Sequence, residues 1–161
     1  MSHVLVVDDE AAMRTALEAN FRRSGWRVLT ASGVGDALLK FRSGSCGLVI
    51  TDMRMPDGDG LAVMRGVREL APETAFIFLT AYGNVPEAVE AMREGACDYL
   101  MKPVSFDRLR EAAERVLATV GISEKEKQQF RAIYQEESQI QMNLEKNWKK
   151  NSPKVVKPRK K

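Results

Sequence analysis

Acidic side chains stand at the ends of two short apolar runs. Asp8 and Asp9 follow the run Val4–Val7, and Asp52 follows the run Leu48–Thr51. Both runs have the length and the β-branched content of buried parallel strands, which would deliver these carboxylates to one edge of a sheet. Three carboxylates at that edge would repel one another. A hard divalent cation with oxygen ligands is therefore the expected occupant.

Two more polar residues end apolar runs. Thr80 follows Phe76–Leu79, and Lys102 follows Tyr99–Met101. A lysine here could pair with carboxylates or hold an anion, and a threonine hydroxyl could donate a hydrogen bond to the same anion. Any one of these residues alone could be structural, since strand-end acids often cap helices. Together, at the ends of different strands, they predict one site.

Apolar runs alternate with amphipathic patterns through the first 121 residues. The runs predict strands at Val4–Val7, Arg27–Ala31, Leu48–Thr51, Phe76–Thr80 and Tyr99–Met101. The amphipathic patterns predict helices at Ala11–Arg23, Val34–Arg42, Gly60–Leu70, Val85–Arg93 and Phe106–Ala118. This alternation predicts an α/β domain with a doubly wound, five-stranded parallel sheet. Such sheets bind ligands beyond the carboxyl ends of their strands, where the acids lie.

These residues resemble the signature of the receiver domain of bacterial two-component response regulators. The resemblance extends over about residues 3–119 and is carried by Asp8-Asp9, Asp52 with Met55-Pro56 and Gly60, Thr80-Ala81, and Lys102-Pro103. The strings 52–60, 79–83 and 94–103 are most similar to the nitrogen-regulator (NtrC) class. The resemblance implies the flavodoxin-like (βα)5 receiver fold. In the NtrC class a receiver precedes an ATPase domain and a DNA-binding domain.

The resemblance also implies a reaction. Asp52 would take a phosphoryl group from a sensor histidine kinase and form an acyl phosphate, while Lys102 and Thr80 contact phosphoryl oxygens. Thr80 would then move inward, and Tyr99 would turn inward and alter the face made by the fourth helix, fifth strand and fifth helix. Such a protein is not an enzyme beyond self-phosphorylation and slow autodephosphorylation. The only histidine, His3, lies outside any helical kinase context, so the donor must be another molecule.

The resemblance further implies the metal ligands. Mg²⁺, or Mn²⁺, would be held by Asp9, Asp52 and the backbone carbonyl of Arg54, while Asp8 acts largely through a metal-bound water. Mg²⁺ usually keeps several waters and few protein carboxylates, which suits this set.

Composition sets the outer limits. The chain has 161 residues, of which 44% are hydrophobic, and no apolar stretch is long enough to span a bilayer. We see no signal peptide and expect a cytoplasmic protein. Cys46 and Cys97 lack the spacing of a zinc site, and we expect two buried or half-buried, reduced thiols.

Charge divides the chain into two parts. Residues 1–121 carry 14 basic and 17 acidic side chains, a net charge of −3, whereas residues 122–161 carry 11 and 5, a net charge of +6. We therefore predict a receiver domain at 1–121, an extended helix that serves as linker or dimerisation segment at 122–150, and a flexible basic tail at 151–161.

The C-terminal part leaves several functions open. Near-heptad apolar residues run from Phe130 to Leu144, with Trp148 four residues beyond. This helix could dimerise the protein, fold back on its own receiver, or bind a partner. A homodimer could instead use the face between the fourth and fifth helices. The main prediction is a phosphorylation-dependent switch of protein contacts in a phosphorelay.

Two alternatives to that function remain. One is a nucleic-acid-binding regulator that uses the basic tail, although no helix-turn-helix, zinc-finger or basic-zipper pattern is visible. The other is the receiver part of a longer NtrC-class transcription activator. The sequence contains no glycine-rich Lys-Ser/Thr loop of the kind that cradles ATP phosphates.

Overall fold

The computed structural model describes residues 3–43, 46–81, 83–118, 144–148 and 150. The strands are β1 (His3–Val7), β2 (Arg27–Ala31), β3 (Leu48–Thr51), β4 (Arg54–Met55), β5 (Gly58–Asp59), β6 (Ala75–Thr80) and β7 (Asp98–Met101). The helices are α1 (Ala11–Arg23), α2 (Val34–Ser43), α3 (Gly60–Leu70), α4 (Val85–Arg93) and α5 (Phe106–Ala118). Residues 144–148 are helical as well.

Five strands form one parallel sheet in the order β2-β1-β3-β6-β7. The strand order reverses direction after β2, as in a doubly wound fold, and the predicted fold class is confirmed. Every residue of β3 and β6 is buried, because helices cover both faces of a parallel sheet. The carboxyl ends of all five strands point to one edge.

Two apolar clusters hold the layers together on opposite faces of the sheet. One contains residues of α2, α3 and α4, such as Ala37, Val63 and Ala91. The other contains residues of α1 and α5, such as Phe21 and Leu109. Alternate strand residues supply each cluster, so the sheet is the common wall between them.

Local signals set where the helices begin and end. The Asp59 and Asn84 side chains cap α3 and α4, each accepting a hydrogen bond from a backbone amide three residues later. Gly25 and Gly95 have φ of 87° and 104° just after α1 and α4, a conformation that favours glycine. The predicted helices agree with the observed ones to within a residue at each end.

Two features differ from expectation. The short antiparallel pair β4 and β5 was not predicted, because two-residue strands leave no periodicity in a sequence. Cys46 is buried, but Cys97 is exposed, so the expectation of burial is wrong for Cys97. Cys97 directly precedes β7, outside the buried stretch of that strand.

Most of the predicted C-terminal organisation lies outside the described residues. This applies to the boundary near Gly121, to most of the helix predicted at 122–150, and to the basic tail at 151–161. Those predictions stay predictions. Within the described ranges, no helix combines the length and apolar character needed to cross a bilayer.

Candidate functional site

The carboxylates of Asp8, Asp9 and Asp52 meet at the carboxyl edge of the sheet. Val7 of β1 is in register with Thr51 of β3, so the residues that follow are neighbours. One carboxylate oxygen from each of the three acids lies within 4.8 Å of the other two. Asp8 and Asp52 are buried, whereas Asp9 is exposed. The predicted convergence of these acids is therefore present in the structure.

Lys102 directly follows β7, which is separated from β3 by β6 in the sheet, and its side chain reaches this cluster. Its Nζ atom lies 2.6 Å from Asp8 Oδ2 and 3.2 Å from Asp52 Oδ2. The Lys102 side chain is 10% exposed, and the carboxylates it contacts are 4% and 11% exposed. One ammonium group thus bridges two buried carboxylates.

Burial and charge act in opposite directions on this pair. Burial raises the pKa of Asp8, and the hydrogen bond from Lys102 only partly offsets it. For Lys102, burial by itself lowers the pKa, but the hydrogen bond that its ammonium donates to Asp8 and the charges of Asp8 and Asp52 outweigh this effect. The pKa of Lys102 therefore lies above its usual range, and the group is charged at neutral pH.

Backbone and arginine contacts fix Asp8. The Glu10 amide donates to Asp8 Oδ1 at 2.9 Å, and Arg14 Nη1 donates to the Asp8 carbonyl oxygen at 2.6 Å. No sequence pattern singles out Arg14, which is an ordinary polar residue in the first turns of α1. Arg14 lies four residues after Glu10, and its side chain can reach the Asp8 carbonyl oxygen because the chain turns there from β1 into α1.

The loop after Asp52 is held by side chains from other elements. Asp57 accepts hydrogen bonds from the amides of Val34 and Gly35, at 2.9 and 3.1 Å, and so ties this loop to the start of α2. Gly60 is packed so closely that a Cβ there would lie 2.5 Å from the Asp52 carbonyl oxygen. A larger residue at position 60 would displace the segment that carries Asp52.

Arg54 lies beside Asp52, as expected for a neighbour of the site. Its amide donates to Asp52 Oδ1 at 3.4 Å, a long hydrogen bond. Its side chain extends away from the cluster, and Nη2 lies 3.5 Å from Glu87 Oε2 at the start of α4.

Thr80 is completely buried at the end of β6, the strand between those that lead to Asp52 and Lys102. The amide of Lys102 donates to the Thr80 carbonyl oxygen at 2.9 Å, which joins the ends of β6 and β7. A Cβ at Gly83 would lie 2.8 Å from Thr80 Cγ2. The threonine therefore borders the same edge as the acids, in a loop with little free space.

Tyr99 is buried in β7, and its hydroxyl donates to Glu87 Oε1 at 2.7 Å. Burial and the Glu87 carboxylate both raise the pKa of Tyr99 above its usual range, so the phenol stays protonated. Since Glu87 also contacts Arg54, one carboxylate connects the loop after Asp52 with the aromatic of β7. Glu87 was not predicted from the sequence. The pattern Asn84-x-x-Glu87 signals a helix start, but it does not reveal the contact with Tyr99.

The arrangement has a definite chemical capacity. Three carboxylates and one ammonium leave two net negative charges, which one divalent cation would neutralise. The oxygen donors of the cluster fit such a hard cation. Once that charge is neutralised, a carboxylate of the cluster can attack an electrophilic phosphorus, a reaction in which positioning and charge neutralisation matter more than a base.

Comparison with known proteins gives a consistent result. The sequence model of the response regulator receiver domain matches residues 4–114. The transcriptional regulatory protein ZraR of Salmonella typhimurium is 42% identical over 115 residues, which are 71% of this chain and 26% of ZraR. The chain thus spans about a quarter of the length of that relative.

Solved structures show the same similarity. A response regulator receiver domain protein from Clostridium thermocellum superposes with a TM-score of 0.69 at 35% identity, covering 73% of this chain and 95% of that one. The response regulator TrrA from Thermotoga maritima, solved in complex with Mg(2+)-BeF, gives a TM-score of 0.65 at 34% identity. That match covers 72% of this chain and 99% of TrrA.

Proposed function

Because this chain belongs to the family of response regulator receiver domains, we propose that Asp52 accepts a phosphoryl group from a sensor histidine kinase. The acyl phosphate would then switch protein contacts in two-component signal transduction. The observation that carries the proposal is the Lys102 ammonium, which lies within 3.2 Å of Asp52 and contacts Asp8 as well. This places a fixed positive charge next to the carboxylate that must attack an anionic phosphoryl group.

The proposed transfer balances simply. An Asp52 carboxylate oxygen forms a bond to phosphorus while the phosphorus–nitrogen bond of a phosphohistidine breaks, and the departing imidazole nitrogen takes a proton. A small acyl phosphate can replace the kinase as donor, in which case the phosphorus–oxygen bond to its acyl group breaks. Slow attack by water later returns the carboxylate and inorganic phosphate.

A divalent cation completes the charge balance of the site. We propose that Asp9, Asp52 and the backbone carbonyl of Arg54 hold Mg²⁺ or Mn²⁺, while Asp8 acts through a metal-bound water. The close approach of the three carboxylates supports this set. The ion supplies charge neutralisation for the phosphoryl oxygens. The complex of TrrA with Mg(2+)-BeF is a further reason to expect Mg²⁺ here.

Lys102 and Thr80 are the proposed partners of the phosphoryl oxygens. The Lys102 ammonium would leave part of its interaction with Asp52 and pair with a phosphoryl oxygen, a charge-assisted bond. Thr80 borders the site from β6 and would donate its hydroxyl to another oxygen. Both residues would strengthen their contacts as negative charge develops on the transferred group, which favours the transition state.

The proposed switch runs through Glu87. Tyr99 is already buried and bonded to Glu87 without any phosphoryl group, so we propose that phosphorylation changes this hydrogen bond rather than the burial of the ring. Movement of Thr80 and of Arg54 would shift Glu87 at the start of α4. The surface of α4, β7 and α5 would change as a result.

Replacing Asp52 tests the proposal. Asp52→Asn, incubated with acetyl phosphate and Mg²⁺, should gain no phosphoryl group by intact-mass measurement, whereas the wild-type chain gains one. Asp57→Asn is the matched control, because Asp57 lies in the same loop but faces α2. Labelling of Asp52→Asn at the wild-type rate would refute Asp52 as the acceptor.

The partners and the cellular location of the protein stay predictions. The kinase partner and the homodimer through the α4–α5 face or the C-terminal helix stay proposals, as does a cytoplasmic location. The nucleic-acid alternative rests on residues 151–161, outside the described ranges. The alternative of a receiver part of a longer activator is compatible with the ZraR match and also stays a prediction.

A further inference from the structure

A short helix from the C-terminal part packs against the receiver domain. Residues 144–148 are helical, Leu144 is only 5% exposed, and Trp148 is half-buried. Leu144 belongs to the apolar cluster of α2, α3 and α4, and Trp148 packs against it. Asn147 accepts a hydrogen bond at 3.0 Å from Arg108 Nη2 of α5.

These contacts fix where the segment lies. The α4 helix packs on one face of the sheet and α5 on the other, since their residues belong to different clusters. A five-residue helix that contacts both must pass around an edge of the sheet. The edge next to α4 and α5 is β7, the last strand in the sheet order. Residues 144–148 therefore lie along the β7 edge, between α4 and α5.

The two edges of the sheet differ in a way that matches this placement. The β2 edge strand has an exposed–buried alternation, and Leu29 there is 37% exposed. In β7, by contrast, Tyr99, Leu100 and Met101 are all 3% exposed or less. An uncovered edge strand is a site for unwanted pairing, and proteins commonly cover it.

We propose that residues 144–148 dock on this edge surface as an intramolecular ligand of the same chain. We assign to this edge surface Ala88 and Ala91 of α4 and Tyr99 and Met101 of β7, which share an apolar cluster with Leu144, and Arg108 of α5, which donates to Asn147. Any second helix, from a partner protein or a second copy, must displace this segment to bind there.

The segment has the chemistry that the edge surface requires. Leu144 and Trp148 are four residues apart, so they lie on one side of a helix, while Glu145, Lys146 and Lys150 are exposed. The Arg108 guanidinium adds a polar contact at the margin of this apolar patch.

The same chain is the favoured source of the ligand. Residues 119–143 connect α5 to the segment, and a tethered ligand has an effective concentration on the order of millimolar. Leu144 and Trp148 contribute one aliphatic and one aromatic side chain, a small area that would bind weakly between separate molecules. Tethering makes such a contact favourable without a large interface.

Hydrogen exchange of the full chain without any phosphoryl donor tests this inference independently of the proposed function. Leu144→Ser should speed amide exchange in residues 144–148 by about tenfold or more, since a buried leucine is lost. Glu145→Ser, the matched control on the exposed side, should leave that exchange unchanged. The amides of β3 serve as an internal reference for folding.

Two results would overturn the inference. Equal exchange of residues 144–148 in Leu144→Ser, Glu145→Ser and wild type would show that the segment is not docked. Protection that appears only at high protein concentration, together with a doubled mass in solution, would show that the ligand comes from a second copy.

Discussion

Replacing Lys102 with methionine tests how the acid cluster is held in the folded protein. The ammonium lies 2.6 Å from Asp8 Oδ2 and 3.2 Å from Asp52 Oδ2, and all three side chains are nearly buried. Methionine retains most of the volume but removes the charge. Two buried carboxylates then face each other without a cation, so we expect a large loss of stability.

The size of the loss follows from the two ways in which the variant can respond. Breaking a buried ion pair by removing one partner costs about 3–5 kcal/mol. Alternatively, one of the two carboxyl groups can become protonated. For a group whose usual pKa is about 3.9, protonation costs about 4 kcal/mol at pH 7 and about 1.5 kcal/mol at pH 5, and this cost is an upper limit on the loss of stability. We therefore expect Lys102→Met to lower the free energy of unfolding by about 3–4 kcal/mol at pH 7.

The pH dependence has a definite sign. In the variant, loss of the cation raises the carboxyl pKa further, so the penalty is present at neutral pH and is lost as the pH falls through that raised pKa. In the wild type, the pKa of Lys102 is raised, so its stabilising charge is present throughout this acidic window and is lost only at high pH. The difference between the two proteins should shrink to about 1.5 kcal/mol at pH 5.

Urea unfolding followed by circular dichroism measures these differences. Arg22→Met is the matched control, because Arg22 pairs with Glu18 at 3.1 Å on the surface, with side chains 60% and 35% exposed. The control should lose only about 1 kcal/mol. A loss in Lys102→Met no larger than that of the control at pH 7, or one that grows as the pH falls, would refute this account of the cluster.

Three further predictions concern the switch and the metal. Thr80→Ala should still be phosphorylated but lose the shifts of α4 amide resonances on phosphorylation; wild-type shifts would contradict its role. Tyr99→Phe removes the donor to Glu87 and should lower the unfolding free energy by about 1.5 kcal/mol in urea; an unchanged value would show that the bond contributes nothing. Calorimetric titration should show Mg²⁺ affinity weakening as the pH falls toward the Asp8 pKa, which burial raises above its usual range; constant affinity down to pH 4 would contradict this.

The sequence was sufficient to predict the main sheet and its helices. The strands β3 and β6 are continuous apolar runs because both of their faces are covered, and such runs are legible without a structure. The parallel arrangement then places Asp8, Asp52, Thr80 and Lys102 at one edge. These positions follow from strand ends alone, which is why the site could be assembled from the sequence.

Residues that act across long sequence distances could not be predicted in this way. Glu87 contacts Tyr99 and Arg54, which lie 12 and 33 residues away, and no periodicity specifies those partners. Asp57 reaches back 23 residues to the amide of Val34. Such contacts depend on how helices pack against loops, whereas the sequence patterns describe only individual elements.

The C-terminal part shows the same limit. The spacing of Leu144 and Trp148 was compatible with dimerisation, with folding back, or with partner binding. A four-residue repeat of apolar residues defines an apolar side of a helix but not the surface that covers it. In the described residues, Asn147 and Arg108 supply the specific contact that places this helix on the β7 edge.

Locating the phosphoryl group in the wild-type chain shows which carboxylate accepts it. After reaction with acetyl phosphate and Mg²⁺, borohydride reduction converts an aspartyl phosphate to homoserine, which peptide sequencing by mass spectrometry can place. We predict homoserine at position 52 and unmodified aspartate at positions 8, 9 and 57, with no conversion when Mg²⁺ is chelated. Homoserine at another position would contradict the assignment of Asp52 as the acceptor. So would a chain that gains one phosphoryl group by mass but contains no homoserine after reduction.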